Sequence, residues 1–330
     1  MPTDDPSTLP FALISRPSVE PAADDVAQRQ RLLARRRPPR FLGNHQEAAR
    51  RYWPSDDLLL ALNMALHTGS PLLLTGEPGT GKTQAAEFVS AYFDIPLYRF
   101  LVKSTSTAQD LLYEFDAVGY LHWAQADRRA AGAAPAPAAK AAGVRQGFLH
   151  KRALWQAYES DDAVVLIDEI DKAARDFPND LLHELDQHSF PHPFDDTRWI
   201  KPQSGRRPLV IVTSNEERRL PDAFLRRCIF HRIELNEALV KAAVESMAGA
   251  DVSGFPQLDA ATRAAARRRF WELRHVPGLD EKPSTAELLT WLSILSAQRI
   301  DAATLDGGPL ASLPALGALI KDAGDLARLR

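Results

Sequence analysis

Cysteine is nearly absent from this 330-residue chain. Cys228 stands alone, which excludes an intramolecular disulfide framework and any site built from several cysteines. Charge of one sign is lacking too. Against 43 Asp+Glu there are 40 Lys+Arg, and the formal charge of −3 argues against a chain whose main task is to coat nucleic acid or an anionic membrane. No apolar run approaches the ~18 residues that span a bilayer. Met1–Pro6 is acidic and broken by proline, unlike the basic start of a secretory leader. A soluble protein of a reducing compartment, cytoplasmic, is therefore expected. What is present is ordinary for a globular protein: 45% hydrophobic and 25% charged residues, enough for a sizeable core. At roughly 100–200 residues per domain, the length suggests two domains.

Residues 1–41 stand apart. Pro2, Pro6, Pro10, Pro17, Pro21, Pro38 and Pro39 deny the segment a stable helix, and few bulky apolar residues could anchor it. A disordered tail is expected, with a short helix over Ala27–Arg36 at most. The basic run from Arg29 to Arg40 could meet RNA or an acidic partner, but a solvated tail is the plainer reading.

From Tyr52 to about Leu235, short apolar runs alternate with helical patterns. The runs at Pro71–Thr75, Leu97–Val102, Ala163–Ile167, Leu209–Thr213 and Ile229–Leu235 suit buried parallel strands. Helical spacing covers Leu58–His67 and Thr83–Phe93. Such alternation predicts a βαβ sheet with helices on both faces. Two insertions interrupt it, at about 104–147 and 187–207. The first contains an Ala/Pro/Gly tract, Ala130–Gly143, with no packing period, which predicts a mobile loop. The second carries Phe190, Phe194 and Trp199 between turn signals and predicts a hairpin. Beyond Leu235 the pattern is helical only. Ser284 and Glu287 form a capping box, followed by Leu288, Leu292 and Leu295 on one face. The expected division is a tail over 1–41, an α/β core over 42–235 and a small all-α domain over 236–330.

Gly76-Glu77-Pro78-Gly79-Thr80-Gly81-Lys82-Thr83 satisfies G-x-x-x-x-G-K-[ST], with Leu72-Leu73-Leu74 as the strand before it and a helical pattern after. The chemistry dictates these residue types. Glycines let the backbone curl until several N–H groups face one phosphate at a helix N-terminus. Lys82 reaches the β- and γ-phosphates, and the Thr83 hydroxyl binds Mg²⁺. Further on, Val164-Val165-Leu166-Ile167-Asp168-Glu169 ends a strand in an acidic pair. There Asp168 can hold Mg²⁺, and Glu169 can orient and polarise the attacking water. A binder that never hydrolyses would be expected to lack the carboxylate of Glu169. Asn215, closing Thr213-Ser214-Asn215, could hydrogen-bond the γ-phosphate or the water, although an Asn at a strand end is also an ordinary turn former.

In this order the residues resemble an AAA+ ATPase, most nearly of the MoxR-like branch, over about Tyr52 to Arg299. The motifs that carry the resemblance are GEPGTGKT (76–83), VVLIDEID (164–171), TSN (213–215) and LPDAFLRRCIF (220–230). It implies a P-loop NTPase αβα sandwich followed by a helical lid. Asn215 becomes sensor 1, and Arg227, with Arg226 as the fallback, falls where the family carries an arginine finger. Such an arginine neutralises charge on a neighbouring subunit's γ-phosphate. A homo-oligomer, usually a hexameric ring, is implied, together with a von Willebrand A-domain partner and a polypeptide client. One departure stands out. Alignment on Ser284 puts Ala286 where the family has its sensor 2 arginine, leaving Lys282 or the more distant Arg274 as substitutes.

Tyr52 and Trp53 lie where the family borders adenine. They could stack on the base or simply pin the chain's entry to the core. No guanine-reading motif is visible, so ATP is expected. The aromatics Tyr113, Phe115, Tyr120 and Trp123 of the first insertion could grip a polypeptide or dock the insertion. His183, His188 and His192 have unsuitable spacing for a metal and read as solvent-facing histidines. Cys228, beside two arginines, could carry a lowered pKa, but has no setting for nucleophilic catalysis. The function expected is Mg²⁺-dependent ATP hydrolysis by a ring ATPase that remodels or assembles a partner protein. A nucleic-acid-stimulated motor or restriction-type translocase is the alternative, supported only by the basic tail. A slow, nucleotide-gated scaffold is a third.

Overall fold

Five short apolar segments pair into one wholly parallel sheet in the order β2-β5-β8-β1-β9. These strands are β1 (Leu72–Thr75), β2 (Leu97–Leu101), β5 (Val164–Asp168), β8 (Leu209–Ser214) and β9 (Ile229–Arg232). The computed structural model describes residues 52–131, 144–203, 205–247, 255 and 257–329. The expected tail, with its basic run and short helix, lies outside the described residues, as does nearly all of the Ala130–Gly143 tract.

Parallel neighbours cannot be joined by tight turns, so helices cross over both faces. Side chains alternate between those faces with the period of two that a strand imposes. In β5, Val164 and Leu166 enter a cluster with Leu58 and Leu62 of helix α1 (Asp56–Thr68) and Phe88 of helix α2 (Lys82–Phe93). Val165 and Ile167 enter a second cluster with Trp155 and Tyr158 of a crossover helix, Ala153–Glu159. All four of these β5 residues are fully buried, so the centre of the sheet is covered on both faces. The result is an αβα sandwich, as the alternating pattern predicts. Helix α1 starts where Ser55 Oγ accepts the Leu58 N–H at 3.2 Å, and it stops at Gly69 in the left-handed conformation (φ 70°).

The first insertion forms an antiparallel pair, β3 (Tyr113–Phe115) with β4 (Leu149–Lys151), and a helix, α3 (Ala117–Ala131). The second forms the expected hairpin, β6 (Phe190–His192) with β7 (Asp195–Ile200). Their aromatics dock. Phe115 meets Phe194 edge-on at 5.1 Å between ring centres, and Tyr113 meets Trp155 at 6.2 Å. Tyr120 stacks on Trp123 at 5.9 Å while the Arg145 guanidinium lies over the Tyr120 ring. Val118 and Leu121 on α3 remain exposed.

Beyond Ile233 the regular elements among the described residues are all helices, and they pack around a third cluster of their own. Its main helices are α4 (Glu237–Met247), α5 (Ala260–Arg274) and α6 (Thr285–Ala297). The capping box forms at α6: the Glu287 carboxylate accepts the Ser284 N–H at 2.7 Å, and Ser284 Oγ accepts the Glu287 N–H at 3.4 Å. Leu288, Leu292 and Leu295 are completely buried, beside Trp291, whose indole N–H donates to the Pro314 carbonyl. No helix among the described residues is long and apolar enough to cross a membrane.

Candidate nucleotide site

The strand order builds the site. With β8 seated between β5 and β1, the carboxyl ends of these three strands emerge side by side at one edge: Gly76 after β1, Asp168 ending β5 with Glu169 next, Asn215 after β8. Gly76 takes a φ of 138°, and a Cβ there would stand 2.4 Å from the Ile233 carbonyl oxygen, so no other residue fits. The loop then turns into α2, whose first residue is Lys82. The positive end of a helix dipole and its free N–H groups thus face the loop's hollow. The Lys82 side chain is folded back: Nζ donates to the carbonyls of Gly76 at 2.7 Å and Glu77 at 2.9 Å. Burial pushes its pKa down, while Asp171, Asp168, Glu169 and Glu216 push it back up. An ammonium parked on carbonyl oxygens in that position can exchange them for phosphate oxygens with little movement.

Thr83 Oγ1 lies 3.1 and 3.2 Å from the two carboxylate oxygens of Asp168. A hydroxyl and a carboxylate so close together form the hard oxygen donor set that Mg²⁺ prefers. These residues fit the ion and would hold it. When bound, Mg²⁺ would supply neutralising charge beside the phosphates. Thr213 was not singled out in the sequence for any role, yet its hydroxyl bonds Asp168 and also accepts the Glu169 N–H at 2.9 Å. The same threonine thereby orients both acids of the pair. Glu169 itself has left-handed backbone (φ 61°), costly for a residue with a Cβ and held here by the surrounding bonds. Its carboxylate is flanked by Asn215 Nδ2 at 3.4 Å and Lys172 Nζ at 2.6 Å. Buried Asp171 accepts the N–H groups of Asn215 and Glu217, both at 3.0 Å, locking the end of β8 to the end of β5.

The loop and the C-terminal helices α4 and α6 enclose a cavity of about 350 Å³ lined by Tyr52, Trp53, Gln84, Leu239, Met247 and Leu289 among others. Its mostly apolar walls and its position beside Thr80 and Gly81 suit a nucleoside. Tyr52 packs on Phe88 at 5.8 Å, which pins the chain's entry to the core, and burial holds its hydroxyl well above the usual tyrosine range. Ala286 lines this cavity and offers no charge. Lys282 is exposed in a cleft with Glu77 and Pro78, whereas Arg274 reaches the loop itself. Away from these groups, Arg227 pairs with Asp186 at 2.5 Å and donates to the Ala223 carbonyl, while Arg226 is exposed.

One expectation is overturned. His188 and His192 are buried rather than solvent-facing, because the hairpin folds them inward, His192 edge-on to Trp155; only His183 is exposed. Burial, aided by Arg207, pushes the His188 pKa from 6.5 to about 4. Between those values only the unfolded chain takes up the proton, so stability is full above pH ~6.5 and falls as pH drops towards 4. The melting temperature is expected to decline over that interval, and His188→Gln to flatten the decline. An identical pH slope in the variant would remove His188 as its cause. The Cys228 thiol is not activated, in keeping with its lack of a catalytic setting in the sequence. Burial, with Asp186 nearby, pushes its pKa up to about 12, and the two arginines beside it in sequence do not lower it.

A parallel sheet with helices on both faces, a phosphate loop at the carboxyl edge and an acidic pair at the end of a strand one place removed define a P-loop NTPase. Residues 72–237 match AAA, the ATPase family associated with various cellular activities, and the chain belongs to that family. It binds nucleotide and is an ATPase. No curated protein matches the sequence. Among the matching solved structures is a crystal structure described as a "putative ATPase" from Cytophaga hutchinsonii ATCC 33406. It is 12% identical at a TM-score of 0.42, covering 83% of this chain and 82% of that chain.

Proposed function

We propose that the chain is a Mg²⁺-dependent ring ATPase of the MoxR-like type that remodels or assembles a partner protein. The observation that carries the hydrolytic part is the single hydrogen-bonded network Thr83–Asp168–Thr213–Glu169–Asn215 beside the phosphate loop. In this reading residues 76–83 hold the phosphates, with Lys82 moving from the loop carbonyls onto them. Thr83 and Asp168 hold Mg²⁺. Glu169 takes the proton of the attacking water, and Asn215 holds that carboxylate and water in line. Arg227 acts on the nucleotide of a neighbouring subunit in a hexamer. Its bond to Asp186 is no obstacle, because partly exposed ion pairs contribute only ~0–1 kcal/mol. The core over 42–235 carries the chemistry and the helices over 236–330 serve as the lid.

The remodelling part is supported by exposed apolar side chains on both insertions: Val118 and Leu121 on the first, Phe194 and Trp199 on the second. Apolar surface of this kind suits an unfolded polypeptide or the face of a von Willebrand A-domain. The test is capture: Glu169→Gln, loaded with ATP, should retain a protein partner that the ADP form releases. Equal retention in both nucleotides would sink the remodelling reading. Specific ATPase activity is also expected to rise with protein concentration and to vanish with chelated Mg²⁺. Activity indifferent to both would rule out a shared, metal-dependent site. Lys82→Ala should weaken ATP binding at least roughly tenfold, since it removes hydrogen bonds from a charged donor.

A further inference from the structure

The lid touches the phosphate loop at two of the loop's own residues. At Gly79 (φ 76°), a Cβ would come within 2.8 Å of both Cβ and Oγ of Ser284, the N-cap of α6. At Glu77 the contact is ionic. Arg274, the last residue of α5, is 8% exposed and donates through one terminal nitrogen to Glu77 Oε2 at 2.6 Å. Its other terminal nitrogen bonds the carbonyl of Pro283, the residue before that N-cap. The guanidinium carbon lies 5.9 and 5.8 Å from the ring centres of Phe270 and Trp271. Glu77 is in turn the hub of the loop, because its carbonyl accepts from both Lys82 Nζ and Thr80 Oγ1.

We propose that Arg274 is a positioning residue that ties the lid to the phosphate loop through Glu77, setting the loop's shape for di- and triphosphates alike rather than reading the γ-phosphate. Both of its terminal nitrogens are already committed, one to the lid and one to the loop. A buried guanidinium stripped of such partners is left as an uncompensated charge, which opposes any swing towards a phosphate. No cationic side chain stands in the first turn of α6 to take that role, since Ala286 is there and Glu287 is used in the cap. Nucleotide affinity and lid docking therefore share one ion pair.

The inference rests on the reading of residues 76–83 as the nucleotide site. It is tested on the full chain by measuring the dissociation constants of fluorescent N-methylanthraniloyl ATP and ADP. Arg274→Ala and Glu77→Ala are each expected to weaken both nucleotides by the same factor, roughly tenfold, within the usual range of coupling between sites. The double variant should be no weaker than the weaker single one, and Arg274→Lys should recover part of the loss. In steady state KM should rise by the same factor with kcat kept. A merely damaged fold would instead lower kcat through loss of active protein. Glu77 is half exposed, so its variant breaks the same pair from outside the core if the arginine variant folds poorly. Loss of ATP binding with ADP binding intact in Arg274→Ala would overturn the proposal in favour of a γ-phosphate contact. So would a silent Glu77→Ala, or additive single effects. A Lys82→Ala variant that binds like wild type would instead overturn the nucleotide-site reading, and the tie with it.

Discussion

Glu169→Gln is expected to bind ATP and to turn it over some ~10²–10⁴-fold more slowly, the usual contribution of a positioned general base. The expectation follows from geometry. The carboxylate sits on left-handed backbone immediately after β5, fixed through its own N–H by Thr213 and flanked by Asn215 and Lys172. Glutamine keeps the length and can still accept from Asn215, so loop, metal ligands and lid remain undisturbed. It cannot take a proton from water. The defect should therefore appear in kcat, with nucleotide affinity kept, measured by phosphate release under saturating ATP alongside direct binding. Full turnover by this variant would falsify the assignment of Glu169. Asn215→Ala should show a smaller loss of the same kind, because it orients the base without accepting the proton.

The second large effect is expected at Arg227. An arginine that neutralises charge on the transferring phosphoryl group contributes ~10³–10⁵ in rate where it acts from a neighbouring subunit. Arg227→Ala should bind ATP normally and hydrolyse it slowly by about that factor. Because the residue would serve a neighbour's nucleotide, mixing it with Lys82→Ala subunits should restore some activity. In mixed rings, a Lys82→Ala subunit lends its intact arginine to a neighbour whose phosphate loop is intact. No rescue at any mixing ratio would count against a shared site. Arg226→Ala is the control. It is exposed beside Arg227 but forms neither the Asp186 nor the Ala223 bond. If the large loss falls on Arg226→Ala and Arg227→Ala remains active, the trans-acting arginine is Arg226.

The parts of this protein that were legible as sequence are those whose physics is local. The phosphate loop is a run of neighbours in which glycine spacing and one lysine state the chemistry, and the acid pair follows its strand without interruption. The capping box needs only Ser284 and Glu287 three residues apart, and the structure forms it. Buried strands announce themselves by unbroken Val, Ile and Leu runs because both faces of a parallel sheet are covered. Each of these expectations is written in residues close together in the chain.

What tertiary structure alone decided involves partners far apart in sequence, for which no spacing rule exists. Thr213 became the residue that orients both acids only because β8 inserts between β5 and β1. Asp171 reads as one more acid after the pair until its carboxylate is found holding the turn after β8. The histidines of the second insertion looked solvated, since a turn-rich segment gives no sign of which side of its hairpin meets the core. Arg274 and Glu77, 197 residues apart, meet because the lid's own core brings the end of α5 and the start of α6 onto the loop. Local spacing thus specifies which chemistry the chain can perform. The packing of sheet and lid specifies which distant side chains hold that chemistry in place, because only chain folding brings their charges within bonding distance.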